Sequence, residues 1–195
     1  MIEKFLKAKH WQIFVALLGL PFLLELILMP IFIESDRPAY MDKFIPLIMI
    51  LFAGGLIGWL WSVAIGLQKK IPSGIKMKVR KFKIFLIIPL VYISVITILI
   101  SAVFGGLIHN GSEPSVAMIG VFFVIILPLH LLSMFGMFYS LYFVAKTFKT
   151  VELQREVTFS DFAGEFFLFW FFPIGIWVIQ PKINNMIMTE SIKID

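Results

Sequence analysis

The chain has 195 residues, of which 60% are hydrophobic and 15% charged, with a mean hydropathy of +0.98. Soluble domains hold about 45–50% apolar residues and about 25% charge, so this composition excludes a soluble globular domain and puts the chain in lipid. Its 17 Lys and Arg against 12 Asp and Glu leave a net charge of +5, and the absence of Cys excludes a disulfide framework, a thiolate metal site and a cysteine nucleophile.

The N-terminal MIEKFLKAKH holds three Lys against one Glu. A Lys-bearing start followed by LLGLPFLLELILMPIFI has the outline of a signal peptide, but the apolar run over residues 11–33 is longer than a usual h-region and lacks a small-x-small exit. It reads as a retained span, because about 20 apolar residues cross a hydrocarbon core of about 30 Å. Glu25 lies inside it, roughly 12 Å from the outer end at 1.5 Å per residue. None of the four spans holds a Lys or Arg to pair with it. A carboxyl group there should be neutral, hydrogen-bonded or facing water.

The second span covers residues 44–67, with Pro46 in its first turn, where a missing N–H costs little. Gly54, Gly58, Ser62 and Gly66 recur every fourth residue, a small-residue ridge that lets another helix approach closely. Next comes QKKIPSGIKMKVRKFK, with Lys69, Lys70, Lys76, Lys78, Arg80, Lys81 and Lys83 and no acid. Such a cluster beside a span is a topology determinant and a contact for anionic headgroups before it is a nucleic-acid site. No nucleic acid is expected as a partner.

The third span, residues 84–108, contains Pro89 and a second stripe in Ser94, Thr97, Ser101 and Gly105. HNGSEPS follows, including an Asn-Gly-Ser sequon. The fourth run, residues 116–145, is longer than a bilayer requires, so it should tilt, bend at Pro128 or continue past the membrane. Ser133, Gly136 and Ser140 form its small stripe. His130 lies in its middle at a depth compatible with Glu25 and is the best partner for that residue. His130, Met134 and Met137 have the outline of an imidazole–thioether ligand set, but Met is also an ordinary apolar filler, and no metal or other cofactor is expected.

The basic segments place the N-terminus and the 68–83 connection in the cytoplasm, and the weakly charged ESDRPAYMDK and HNGSEPS outside. KTFKTVELQREVTFSD is then cytoplasmic, either as a docking helix or as a solvated connector. Thr158 and Asp161 have capping-box spacing, so a helix should start there. Glu165 then sits about one turn in, as a first-turn carboxylate or a functional acid. Pro173 and Gly175 should break this apolar segment, residues 162–180. It forms either a re-entrant hairpin, the favoured reading, or a kinked fifth span.

The expected fold is an all-α membrane protein in a single polytopic domain, residues 1–195: four spans and a broken C-terminal segment, in a plasma or bacterial inner membrane. No nucleophile elbow, zinc-protease motif, phosphate-binding loop or dinucleotide fingerprint occurs. The chain therefore reads as a non-catalytic assembly, stabilising or regulatory subunit that binds another membrane protein or itself. The alternative is a small oligomeric channel or transporter using Glu25 and His130.

Overall fold

The computed structural model describes residues 2–34 and 41–191. The regular structure of these residues is helical throughout. The elements are α1 (Ile2–Lys7), α2 (His10–Phe14), α3 (Leu20–Glu34), α4 (Met41–Gly66), α5 (Val79–Asn110), α6 (Val116–Val121), α7 (Leu127–Leu153), α8 (Phe159–Trp170) and α9 (Phe172–Ser191). Four stretches are long and apolar enough to cross a membrane: His10–Pro30, Phe44–Lys70, Val79–Val103 and Val116–Leu153. By length and composition the chain is an integral membrane protein.

Two spans contain a π turn, and both turns have the same cause. Val15–Gly19 immediately precedes Leu20-Pro21, and Phe122–Ile126 immediately precedes Leu127-Pro128. A proline ring clashes with the carbonyl four residues back, here Leu17 and Val124. Widening that turn by one residue relieves the clash and bends the helix. At Pro128 the departure from regular α-helix is thus a π turn, one turn ahead of the ring.

The spans form a row in which α3 packs on α4, α4 on α5 and α5 on α7, while α4 also reaches α7. At one end, here called proximal, lie α1, the α4–α5 connection, α8 and α9. The distal end carries the α5–α6 connection. The buried core is gathered proximally: Trp59, Leu60, Val63 and Leu67 of α4, Phe82 and Leu86 of α5, and Phe143, Val144 and Phe148 of α7. Leu6, Phe162, Phe169, Ile176, Ile179 and Ile183 complete it.

The small-residue ridge of α4 is used, at Gly58 and Gly66 by a helix that is not a span, with the first span meeting only Gly55 beside it. A Cβ on Gly66 would collide with Leu6, one on Gly58 would touch Phe5 at 3.4 Å, and one on Gly55 would lie 2.6 Å from Leu17. The occupant is the N-terminal helix α1 with the π turn after α2, whereas Gly54 faces open space. In α7 the stripe behaves as expected, since a Cβ on Gly136 would lie 2.8 Å from the Phe85 carbonyl oxygen of α5. Ser94 and Thr97 turn their hydroxyls onto their own helix, bonding the carbonyls of Leu90 and Ile93. Ser101 is half-buried in α5, and Gly105 lies outside the residues whose side chains are described.

The C-terminal break falls two residues earlier than the proline pattern indicates. Phe171 leaves the helical region at φ −85°, ψ 55°, and α9 begins at Phe172. Pro173 thus occupies the first turn of α9, where its missing N–H is an orphan in any case. Gly175 is helical rather than a turn residue, and any side chain there would run into the Leu168 carbonyl. It lies where α9 packs on α8. The capping box appears as expected, with Asp161 Oδ2 accepting from Thr158 N–H at 2.8 Å and from its hydroxyl at 2.9 Å.

Candidate functional site

The densest polar arrangement lies proximally, where α9 meets α1 and α4. Helix α1 is only six residues long, so its last carbonyls have no partner within the helix. The Gln180 amide nitrogen donates to the carbonyls of Phe5 and Ala8, both at 2.9 Å, and Asn184 donates to Leu6 at 2.7 Å. The Gln180 oxygen in turn accepts from Trp59 Nε1 at 2.9 Å. Gln180 is fully buried and satisfied at both ends of its amide. One side chain thus ties α9 to α4 and closes the C-terminus of α1.

A second cluster binds α7, α8 and α9. Lys149 Nζ lies 2.7 Å from Glu152 and 2.8 Å from Glu165, while Lys182 reaches Glu152 at 3.0 Å and Glu165 at 3.9 Å. Glu165 is a buried acid facing two cations, not a first-turn carboxylate resting on the helix dipole. Every charge in the cluster is opposed by one of the other sign, which is the condition for burying such groups. Lys182 also lies over the Phe148 ring, 5.9 Å from its centre.

From the connection between α7 and α8, Arg155 grips Asp161 in the first turn of α8 through both nitrogens, at 2.7 and 3.3 Å. This fork, followed by the bonds from Thr158, holds the Asp161 carboxyl well below the usual carboxylate range, and the same pairing raises Arg155.

The two intramembrane residues singled out by the sequence are not brought together. His130 is exposed on α7, and its Nδ1 lies 3.0 Å from the Tyr92 hydroxyl of α5. Glu25 is exposed on α3 and has no hydrogen-bond or ion-pair partner among the described residues. They sit at opposite edges of the helix row. Met134 is exposed and Met137 half-buried on α7. Among the described residues no three His, Asp or Glu side chains gather as metal ligands.

The basic residues sit at the proximal end. Lys69, Lys76, Lys78, Arg80, Lys81 and Lys83 are exposed and Lys70 is half-buried, with Lys83 over the Trp61 ring at 5.4 Å.

Sequence reasoning missed Gln180, Asn184 and Trp59, the Tyr92 partner of His130, and Lys149, Glu152 and Lys182 as partners of Glu165. A signal for Gln180 was present: it is the one amide side chain in the apolar stretch of residues 162–180. An amide in such a place requires buried partners. Compared with known proteins, the chain matches no family model, no curated protein and no solved structure.

Proposed function

We propose that the chain is a non-catalytic helical membrane protein that acts as an assembly, stabilising or regulatory subunit of a membrane complex. The observation that carries this reading is the contrast along its spans. Proximally the helices are covered by α1, α8 and α9. Distally α3, α5 and α7 leave most of their apolar surface uncovered: only 11% of an 18-residue apolar stretch within His10–Pro30 is buried, and only 6% of one within Val116–Leu153. Lipid supplies no hydrophobic drive for association, so shape and polar contacts on such faces select a protein neighbour. The Gln180 amide and the Lys149, Glu152, Glu165 and Lys182 cluster are each engaged with partners inside the bundle, which supports a clamp rather than a reactive centre.

The basic end belongs in the cytoplasm by the distribution of Lys and Arg, where Lys69, Lys70, Lys76, Lys78, Arg80, Lys81 and Lys83 meet anionic headgroups. Helices α8 and α9 then form a re-entrant hairpin, supported by the pairing of Lys182 with Glu165 and Glu152. At ~1.5 Å per residue, α8 rises about 18 Å, short of a full crossing. Labelling whole cells that carry Asp195→Cys with an impermeant maleimide should give no signal; strong labelling would indicate a fifth crossing.

The subunit reading is tested by native mass spectrometry of the protein drawn from its own membrane in mild detergent. Company at fixed stoichiometry, whether a second polypeptide or further copies, is the expected result. A lone monomer under conditions that keep other membrane complexes intact would overturn it. A channel reading needs Glu25 and His130 on one path; within a single copy they lie on separate edges, so it would require an oligomer.

A further inference from the structure

The helix row ends in two unlike edges, and each bears one polar group with bonding capacity left over. At the α3 edge, Glu25 stands among the exposed Phe22, Leu26 and Met29 with no partner among the described residues. A carboxyl group in hydrocarbon without a partner is costly, so such residues are usually paired or face the interior of a bundle. At the other edge, Tyr92 engages only Nδ1 of His130. In either tautomer the tyrosine hydroxyl can take the complementary role, leaving Nε2 able to bond a carboxyl group.

The two groups also match in depth. Leu17 packs at Gly55 of α4, and Trp61 of α4 packs on Phe82 of α5. Counting ~1.5 Å per residue from these contacts puts Glu25 within about 6 Å of the Tyr92–His130 level, on its distal side. Helical side chains lean toward their own N-terminus. Helix α3 runs distally and α7 proximally, so Glu25 leans down and His130 leans up, each toward the other's level.

The surroundings are complementary as well. Beside Tyr92, α5 and the fourth span diverge to form an apolar groove of about 470 Å³ lined by Ile87, Val91, Val95, Ile125 and Leu129. Phe22, Leu26 and Met29 project from the same stretch of α3 as Glu25 and have the character to fill it.

We infer that the α3 edge of one copy docks on the α5–α7 edge of a second copy, with Glu25 bonded to His130 of that copy. The contact is head-to-tail, so repetition closes a ring or extends an array. The inference rests on the subunit reading above and narrows its partner to this chain.

The absence of Cys in the native chain makes the test direct. Two differently tagged full-length copies, one with Glu25→Cys and one with His130→Cys, are coexpressed and treated in their membrane with a short permeant bismaleimide. The expected product joins unlike copies and well exceeds either variant joined to itself. Glu25→Leu should weaken self-association about tenfold, the scale of one interhelical hydrogen bond, and Glu25→His combined with His130→Glu should restore it. If the leucine variant does not fold, the cross-link decides alone. Cross-linking only between two Glu25→Cys copies, or none at all, overturns the inference. If no unlike pair forms but a foreign polypeptide copurifies at fixed ratio, the inference falls while the subunit reading stands.

Discussion

The proximal and distal halves of the same spans are built from nearly the same residues and packed quite differently. In α5, Phe82 and Leu86 are fully buried, whereas Val91, Val95 and Ile98 farther along are more than half exposed. In α7, Val144 and Phe148 are fully buried, whereas Leu129 and Leu131 are exposed. Hydropathy does not separate these groups. What separates them is what they touch: proximally α1 packs on α4 and α8 on α7, and Phe82 of α5 lies between Trp61 of α4 and Phe143 of α7. In a bilayer an apolar residue is equally at home against lipid or protein, so burial reports which elements are tied together by shape and polar bonds.

The strongest way to break the proximal half is to separate α8 from α9. Gly175→Leu would drive a side chain into the Leu168 carbonyl, and we expect about 3 kcal/mol or more of destabilisation, at the upper end of overpacking effects. Thermal unfolding in detergent would show a lower Tm with loss of the compact form.

Gln180→Leu keeps the volume but strands Trp59 Nε1 and the carbonyls of Phe5 and Ala8. A cost of about 2–3 kcal/mol is expected for buried groups left unpaired. Limited proteolysis near the N-terminus should accelerate, because α1 loses its closure. Unchanged melting together with unchanged proteolysis would mean that the amide holds nothing in place.

A smaller effect concerns the α8 cap and depends on pH. Asp161 is held below its ordinary value by Arg155 and then by Thr158. A depressed carboxylate contributes stability above its unfolded pKa and loses it as pH falls through the folded one. The Tm difference between wild type and Asp161→Asn should therefore be full near neutrality and shrink only below the ordinary carboxylate range. A difference that grows on acidification would contradict the assignment.

The smallest change is expected distally. Ile98→Ala removes an exposed side chain and should move the stability of an isolated copy by no more than about 0.5 kcal/mol. A larger loss in detergent would mean that the distal half is packed after all and would erase the contrast.

Local properties carried much of this fold. Four apolar runs of sufficient length identify four spans, because backbone bonding inside a helix is self-contained and apolarity is a sum over neighbours along the chain. The Thr158–Asp161 cap was legible for the same reason, as its donors and acceptors lie within one turn. The π turn before Pro128 likewise has a local cause in a single ring. Less of the candidate site was legible. Glu165 could be marked as an acid inside an apolar run, yet its partners Lys149 and Lys182 lie 16 and 17 positions away on other helices.

By itself, then, the sequence determined the spans, the cap and the gathering of basic charge in one connection, all of which depend on residues within a few turns of one another. Only the tertiary structure decided that α1 fills the α4 ridge, that the C-terminal break falls at Phe171, that Gln180 closes α1, and that His130 turns to Tyr92 while Glu25 faces outward. Each of these depends on which surfaces meet at a distance along the chain. An apolar pattern cannot encode that choice when lipid and protein offer a side chain the same solvent.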